Sequence, residues 1–209
     1  MTSYNPDSFP AQSKETPFNK SHSTLQKLLE GNERYMAGKS LHPNQTPEHR
    51  IETAVSPNPF ATILSCSDSR VPPEIIFDCG IGDLFVIRVA GNILNKEITG
   101  SIEYAVEYFG TKLIVVMGHK RCGAVLTAIK GGEFQGSIKS LIEAIQPALE
   151  DAKRESGDLA DNTVNKNIEM TVKALKSSSP ILKNGIQQGN LNIIGAYYDM
   201  DNGRVAFNK

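Results

Sequence analysis

Three near-continuous apolar runs most constrain the fold of this chain: Phe60–Leu64, Leu84–Val89 and Leu113–Met117. Each is strand-length and rich in Val, Ile, Leu and Phe, and lacks the in–out alternation of a sheet with one wet face. Such runs belong to strands buried on both sides, and parallel sheets are buried that way. Helical periods lie between them. Ile102, Ala105, Val106 and Phe109 share one face of a helix expected over 101–109. Further helices are expected over 122–129, 137–154 and 162–175, and a last strand over 191–198. Strand and helix therefore alternate, which predicts an α/β fold: a mostly parallel β-sheet flanked by helices.

The ends of the chain are read by local signals. Ser23 and Gln26 have capping-box spacing, and Leu25, Leu28, Leu29, Asn32 and Met36 follow at helical period, with Gly38 as a stop. A short helix is expected over Pro47–Val55, and one helical turn over Glu74–Phe77. Asp201-Asn202-Gly203 is a turn signal that starts a short hairpin. Residues 1–22 are polar with no sustained period and read as an N-terminal arm; residues 23–209 read as a single domain. A chain of 209 residues suffices for one full core. The net charge of −1, with basic residues scattered, argues against nucleic acid and membrane surfaces as partners. No apolar stretch is long enough to span a bilayer, and the first twenty residues lack the core of a signal peptide. A cytoplasmic protein is expected, unless a leader has been removed.

In a parallel sheet, functional groups collect beyond the carboxyl ends of the strands. The first run ends in Ser65-Cys66-Ser67-Asp68-Ser69-Arg70, the third in Gly118-His119-Lys120-Arg121-Cys122-Gly123. Three cysteines are too few for a disulfide scaffold, and in a reducing compartment spaced Cys and His residues read as metal ligands. Thiolate and imidazole favour zinc, and three protein ligands leave the fourth corner of a tetrahedron for water. Cys66, His119 and Cys122 are accordingly expected to hold one Zn2+. Alternation along an extended segment would turn Asp68 and Arg70 to the same side as Cys66, with Arg70 keeping Asp68 ionised. Asp68 would then manage the fourth position, or occupy it as a ligand in a closed state. Cys79, in a loop beside Gly80, is assigned no role.

The segments Cys66-Ser67-Asp68-Ser69-Arg70-Val71-Pro72 and His119-x-x-Cys122-Gly123 resemble the signature of the beta-class carbonic anhydrases. So do 42–47, 82–92, 101–105 and 195–199. The resemblance implies a helical N-terminal arm wrapped on a partner chain, and a homodimer or tetramer with pockets at the dimer interface. It implies zinc-dependent reversible hydration of carbon dioxide to bicarbonate and a proton. Asp68 and Arg70 would be catalytic, with Phe85, Tyr104, Val71 and Gly123 around the substrate. Phe85 and Tyr104 also fit core positions, which is the simpler reading of both. Pro57 departs from the family, many members of which carry a glutamine there whose amide helps hold the substrate oxygen; proline offers no such donor. That departure leaves two alternatives in view, a related zinc hydrolase acting on carbonyl sulfide or carbon disulfide, and a low-activity zinc-stabilised scaffold. The chain has no tryptophan, so the tryptophan-based bicarbonate pocket of some relatives is absent, and the open arrangement with Asp68 on Arg70 is expected.

Overall fold

The structure, a computed structural model, describes residues 17–208, with side chains from residue 23 onward. The arm expected over 1–22 therefore lies mostly outside the described residues. Five strands form one sheet: β1 (Ala61–Ser65), β2 (Leu84–Arg88), β3 (Leu113–His119), β4 (Asn192–Asp199) and β5 (Arg204–Asn208), in the order β2-β1-β3-β4-β5. The first four are parallel, and β5 returns antiparallel on β4 through the expected hairpin. Every residue of β1 and β3 is buried, which is why those two runs are apolar throughout. Thr62 and Ser65 are the polar residues of β1, and the Thr62 hydroxyl is paired with that of Thr111 at 2.8 Å.

Eight helices accompany the sheet among the described residues: α1 (Pro17–Met36), α2 (Pro47–Val55), α3 (Pro73–Ile76), α4 (Lys96–Phe109), α5 (Gly123–Lys130), α6 (Ile138–Ala152), α7 (Leu159–Ser178) and α8 (Pro180–Gln187). α2 has the bounds read from the sequence. Others differ for local reasons. α1 starts at Pro17, so Ser23 sits inside the helix rather than capping it. α4 starts earlier than expected because Asn95 caps it, its side-chain oxygen accepting the Ile98 N–H at 2.8 Å. α8 was not anticipated: Pro180 occupies its first turn, and Ser179 accepts the Leu182 N–H.

One buried side chain of α1 bonds three backbone groups at once. Asn32 is buried and donates to Ile76 O at 3.2 Å and Gly203 O at 2.8 Å, while its oxygen accepts Val205 N–H at 2.9 Å. α7 lies against β3 and β4. It comes so near that a Cβ at Gly118 would stand 2.7 Å from Ile168 Cδ1 and 2.8 Å from Val164 Cγ1. A side chain at 118 would lift the helix from the end of β3.

The strand order sets the place for chemistry. From β1 the chain moves to β2 on one side, and β3 lies on the other, so the order reverses between β1 and β3. A crevice opens beyond the carboxyl ends of strands at such a switch point. Ser65 pairs with Met117 there, putting Cys66 and His119 just beyond the paired residues.

Candidate metal centre

Cys66, His119 and Cys122 converge at that crevice, all three buried and with their ligand atoms within 4.8 Å of one another. The two sulfurs are 3.9 Å apart. Two sulfurs bound tetrahedrally at about 2.3 Å to one zinc would stand about 3.8 Å apart. His119 Nδ1 lies 3.0 Å from the Lys120 carbonyl. A carbonyl only accepts, so Nδ1 carries the proton and Nε2 has a free lone pair. That Nε2 is buried and without a hydrogen-bond partner in the protein. Burying an imidazole nitrogen unpaired is costly, and a metal ion satisfies it. Two thiolates, one correctly tautomerised imidazole and this spacing fit zinc.

The surroundings favour negative sulfur. Cys66 Sγ accepts the Gly91 N–H at 3.2 Å. Cys122 caps α5, whose Ala124 and Val125 amides face its sulfur. Without a metal the two sulfurs share a proton: the hydrogen bond from Cys122 pulls the Cys66 thiol down, while Cys66 and burial push Cys122 up. Cys79 differs. Its thiol donates to Phe77 O at 3.3 Å, and burial with nearby carboxylates raises it to about 12, so it stays protonated.

Asp68 and Arg70 are paired as expected, though through different geometry. Residues 68–71 form a turn, with the Val71 N–H donating to Asp68 O at 3.1 Å, rather than an extended segment. Arg70 Nε donates to Asp68 Oδ1 at 2.9 Å and Nη2 to Oδ2 at 2.6 Å, and the Arg70 N–H adds a third bond at 3.0 Å. The guanidinium holds the Asp68 carboxyl well below the usual carboxylate range. The carboxylate thus sits on Arg70, the arrangement expected for the open site.

Val71 is buried beneath this turn, and Gly123 is exposed at the first position of α5. Phe85 and Tyr104 are not core residues. Phe85 lies half-buried on the edge strand β2, and Tyr104 is 43% exposed on α4. With Tyr108 and Phe109 they form one aromatic cluster, with Phe85–Tyr104 ring centroids 6.4 Å apart. Pro57 is partly exposed in the loop between α2 and β1.

The sequence reading missed the residues that hold the first crossing segment. Arg88, paired in register with Ser65, donates from Nε to Cys66 O at 3.0 Å and from Nη2 to Asp68 O at 2.5 Å. A charged residue closing an otherwise apolar strand was the available signal. Asn167 of α7 donates to Gly91 O at 2.8 Å, and nothing in the sequence pattern marks that contact. On the other side of the site, Lys120 and Arg121 both pair with Asp201 in the β4–β5 turn.

Comparison with known proteins agrees with this geometry. The carbonic anhydrase family profile matches residues 61–205. The chain belongs to the beta-class carbonic anhydrase family. Carbonic anhydrase 2 of Mycobacterium tuberculosis is 41% identical over 182 residues, covering 85% of this chain and 88% of that protein. A carbonic anhydrase of Synechococcus elongatus is 30% identical, over 87% of this chain and 70% of its own length. Among solved structures, the beta-carbonic anhydrase CcaA superposes with a TM-score of 0.70 at 28% identity, over 88% of this chain and 95% of that one. The structures of two tetrameric beta-carbonic anhydrases from Sordaria macrospora include a chain with a TM-score of 0.71 at 26% identity, over 90% and 96%. No helix among the described residues is long and apolar enough to cross a membrane.

Proposed function

We propose that this protein catalyses zinc-dependent reversible hydration of carbon dioxide, with Cys66, His119 and Cys122 as the metal ligands. The observation that carries the proposal is the unpartnered, buried Nε2 of His119 facing two cysteine sulfurs 3.9 Å apart. Zinc held by these residues supplies a Lewis acid that lowers the pKa of water from about 15.7 to roughly 7, so hydroxide is available at neutral pH.

The chain's own residues do the rest. Arg70 holds the Asp68 carboxyl below the usual carboxylate range, and as a carboxylate it only accepts hydrogen bonds. With zinc held by Cys66, His119 and Cys122, Asp68 would accept a hydrogen bond from the hydroxide that the metal makes available and so orient it. Arg70 keeps Asp68 charged and off the metal, and Arg88 fixes the backbone that carries Cys66 and Asp68. The ring faces of Phe85 and Tyr104, with Val71 and Gly123, offer apolar contact to carbon dioxide. Their exposure on β2 and α4 favours a pocket completed by a second copy of the chain, in a homodimer or tetramer, and a cytoplasmic location suits a freely diffusing substrate.

Stopped-flow hydration of carbon dioxide, measured beside zinc content, tests the reading. Activity should track zinc and vanish in Cys66→Ser. Zinc-loaded protein hydrating carbon dioxide at only the buffer rate would reject it. Sulfide release from carbonyl sulfide or carbon disulfide would move the assignment to a related hydrolase. Pro57→Gln should raise turnover if the missing amide limits it; losing one oxygen-stabilising donor costs on the order of a hundredfold in other enzymes.

A further inference from the structure

The sulfur of Cys66 depends on a donor that belongs to neither crossing segment. Gly91 lies in the 3-10 turn Ala90–Asn92 that follows β2, at φ 70, a conformation that favours glycine. Its N–H reaches Cys66 Sγ at 3.2 Å. A turn in this conformation keeps its direction only if its other groups are held. The Gly91 carbonyl is held by Asn167 Nδ2 at 2.8 Å, across 76 residues of sequence. Asn167 is 5% exposed, on a helix whose neighbouring Ile168 and Val164 press against Gly118. The turn cannot slide either: a Cβ at Gly91 would stand 2.7 Å from Ile145 Cδ1 and 3.2 Å from Ala124 Cβ. α7 thus reaches past β3 and grips one of the peptide segments that solvate the Cys66 sulfur.

We infer that Asn167 is a positioning residue for Cys66. By holding the Gly91 carbonyl it keeps the Gly91 N–H on the sulfur, and so sets the retention of the metal and the electron density at that ligand. The inference rests on the zinc reading above. Groups that orient metal ligands from outside the ligand set typically change metal affinity 10–100-fold when removed. A hydrogen bond from N–H also draws charge from a thiolate, so its loss leaves the sulfur a stronger electron donor.

The test is Asn167→Leu in the full chain. Zinc release to a chelator is timed from the loaded protein, and the sulfur-to-metal charge-transfer band is recorded after substitution with cobalt(II). We expect release roughly 10–100-fold faster and the band at lower energy than in the parent. Asn167→Ser removes the reach with less change in burial and serves if the leucine variant does not fold. Leu175→Ala, fully buried two turns along the same helix, supplies the stability control: it should lower Tm yet leave release rate and band unchanged. Gly91→Ala, which disturbs the donor itself, should shift the band in the same direction as Asn167→Leu. Parental release and band in both Asn167 variants would overturn the inference, as would equal acceleration by Leu175→Ala. If the parent chain takes up no metal, the zinc reading fails first and the inference falls with it.

Discussion

Gly118 precedes His119, one of the proposed metal ligands, and its missing side chain sets how close α7 sits to β3. In Gly118→Ala the new methyl carbon would stand 2.7 Å and 2.9 Å from two atoms of Ile168, and 2.8 Å from Val164 Cγ1. Comfortable carbon–carbon contact begins near 3.5 Å, so three contacts must each open by roughly 0.6–0.8 Å. Ile168 is fully buried and Val164 nearly so, leaving little room for a change of rotamer. Overpacking of this kind costs about 1–3 kcal/mol. For a chain of this size each kcal/mol is worth about 2–4 °C in Tm, so we predict a fall of roughly 2–12 °C. Thermal unfolding monitored by circular dichroism measures it. The cause is checked by a cycle with Ile168→Val, which removes Cδ1, the nearest of the three atoms. Alone that change costs about 0.5–1.5 kcal/mol. Together the two should cost at least about 0.5 kcal/mol less than their sum. A Gly118→Ala protein with parental Tm, or strictly additive costs, would refute the claim that α7 is pressed onto the strand end.

Two further predictions concern charge. Arg70→Gln removes both side-chain bonds to Asp68, so the carboxyl should return towards its ordinary pKa near 3.9. Activity should fall and gain an acid limb that the parent lacks in the same range; an unchanged pH–rate profile would show that Arg70 does not hold the charge. Asp78 accepts Arg34 Nε at 2.6 Å and the Leu41 and His42 N–H groups at 3.0 Å each. These bonds outweigh burial and lower its pKa, so its stabilisation is complete above the unfolded value near 3.9 and is lost as pH falls through the folded one. Asp78→Asn should therefore be less stable at neutral pH, by about 1–3 kcal/mol, since the Arg34 it leaves behind is partly in water. It should also lose less on acidification than the parent. Parallel stability–pH curves for the two proteins would contradict this.

The candidate ligands Cys66 and His119 were legible because each stands at the end of a run whose burial the sequence announces, and Cys122 because it follows His119 by three residues. A strand of Ile, Val and Leu that ends at His119, or is followed at once by Cys66, places that residue at the carboxyl edge of the sheet, and strand order then brings the two edges together. The cap at Asn95 and the helix opened by Ser179-Pro180 were less legible, because each depends on one side chain meeting one backbone amide. Phe85 and Tyr104 were read as core since aromatic residues in a strand and helix look alike whether the strand is central or at an edge. Edge position is a property of strand order, which no residue carries. Arg88 and Asn167 act on carbonyl oxygens, and carbonyls are common to every residue. The partner of such a donor leaves no trace in composition or period.

The anchoring of α1 bears on when the protein can finish folding. The amide of Asn32 is completed only by Gly203 and Val205, 171 and 173 residues farther on. At synthesis rates of roughly 5–20 residues per second, that partner arrives on the order of 10–30 s later. Through that interval the amide has only the Ile76 carbonyl, 44 residues on, as a native partner. The native fastening of α1 thus waits for the last hairpin, and a nascent chain stalled short of that hairpin cannot reach it.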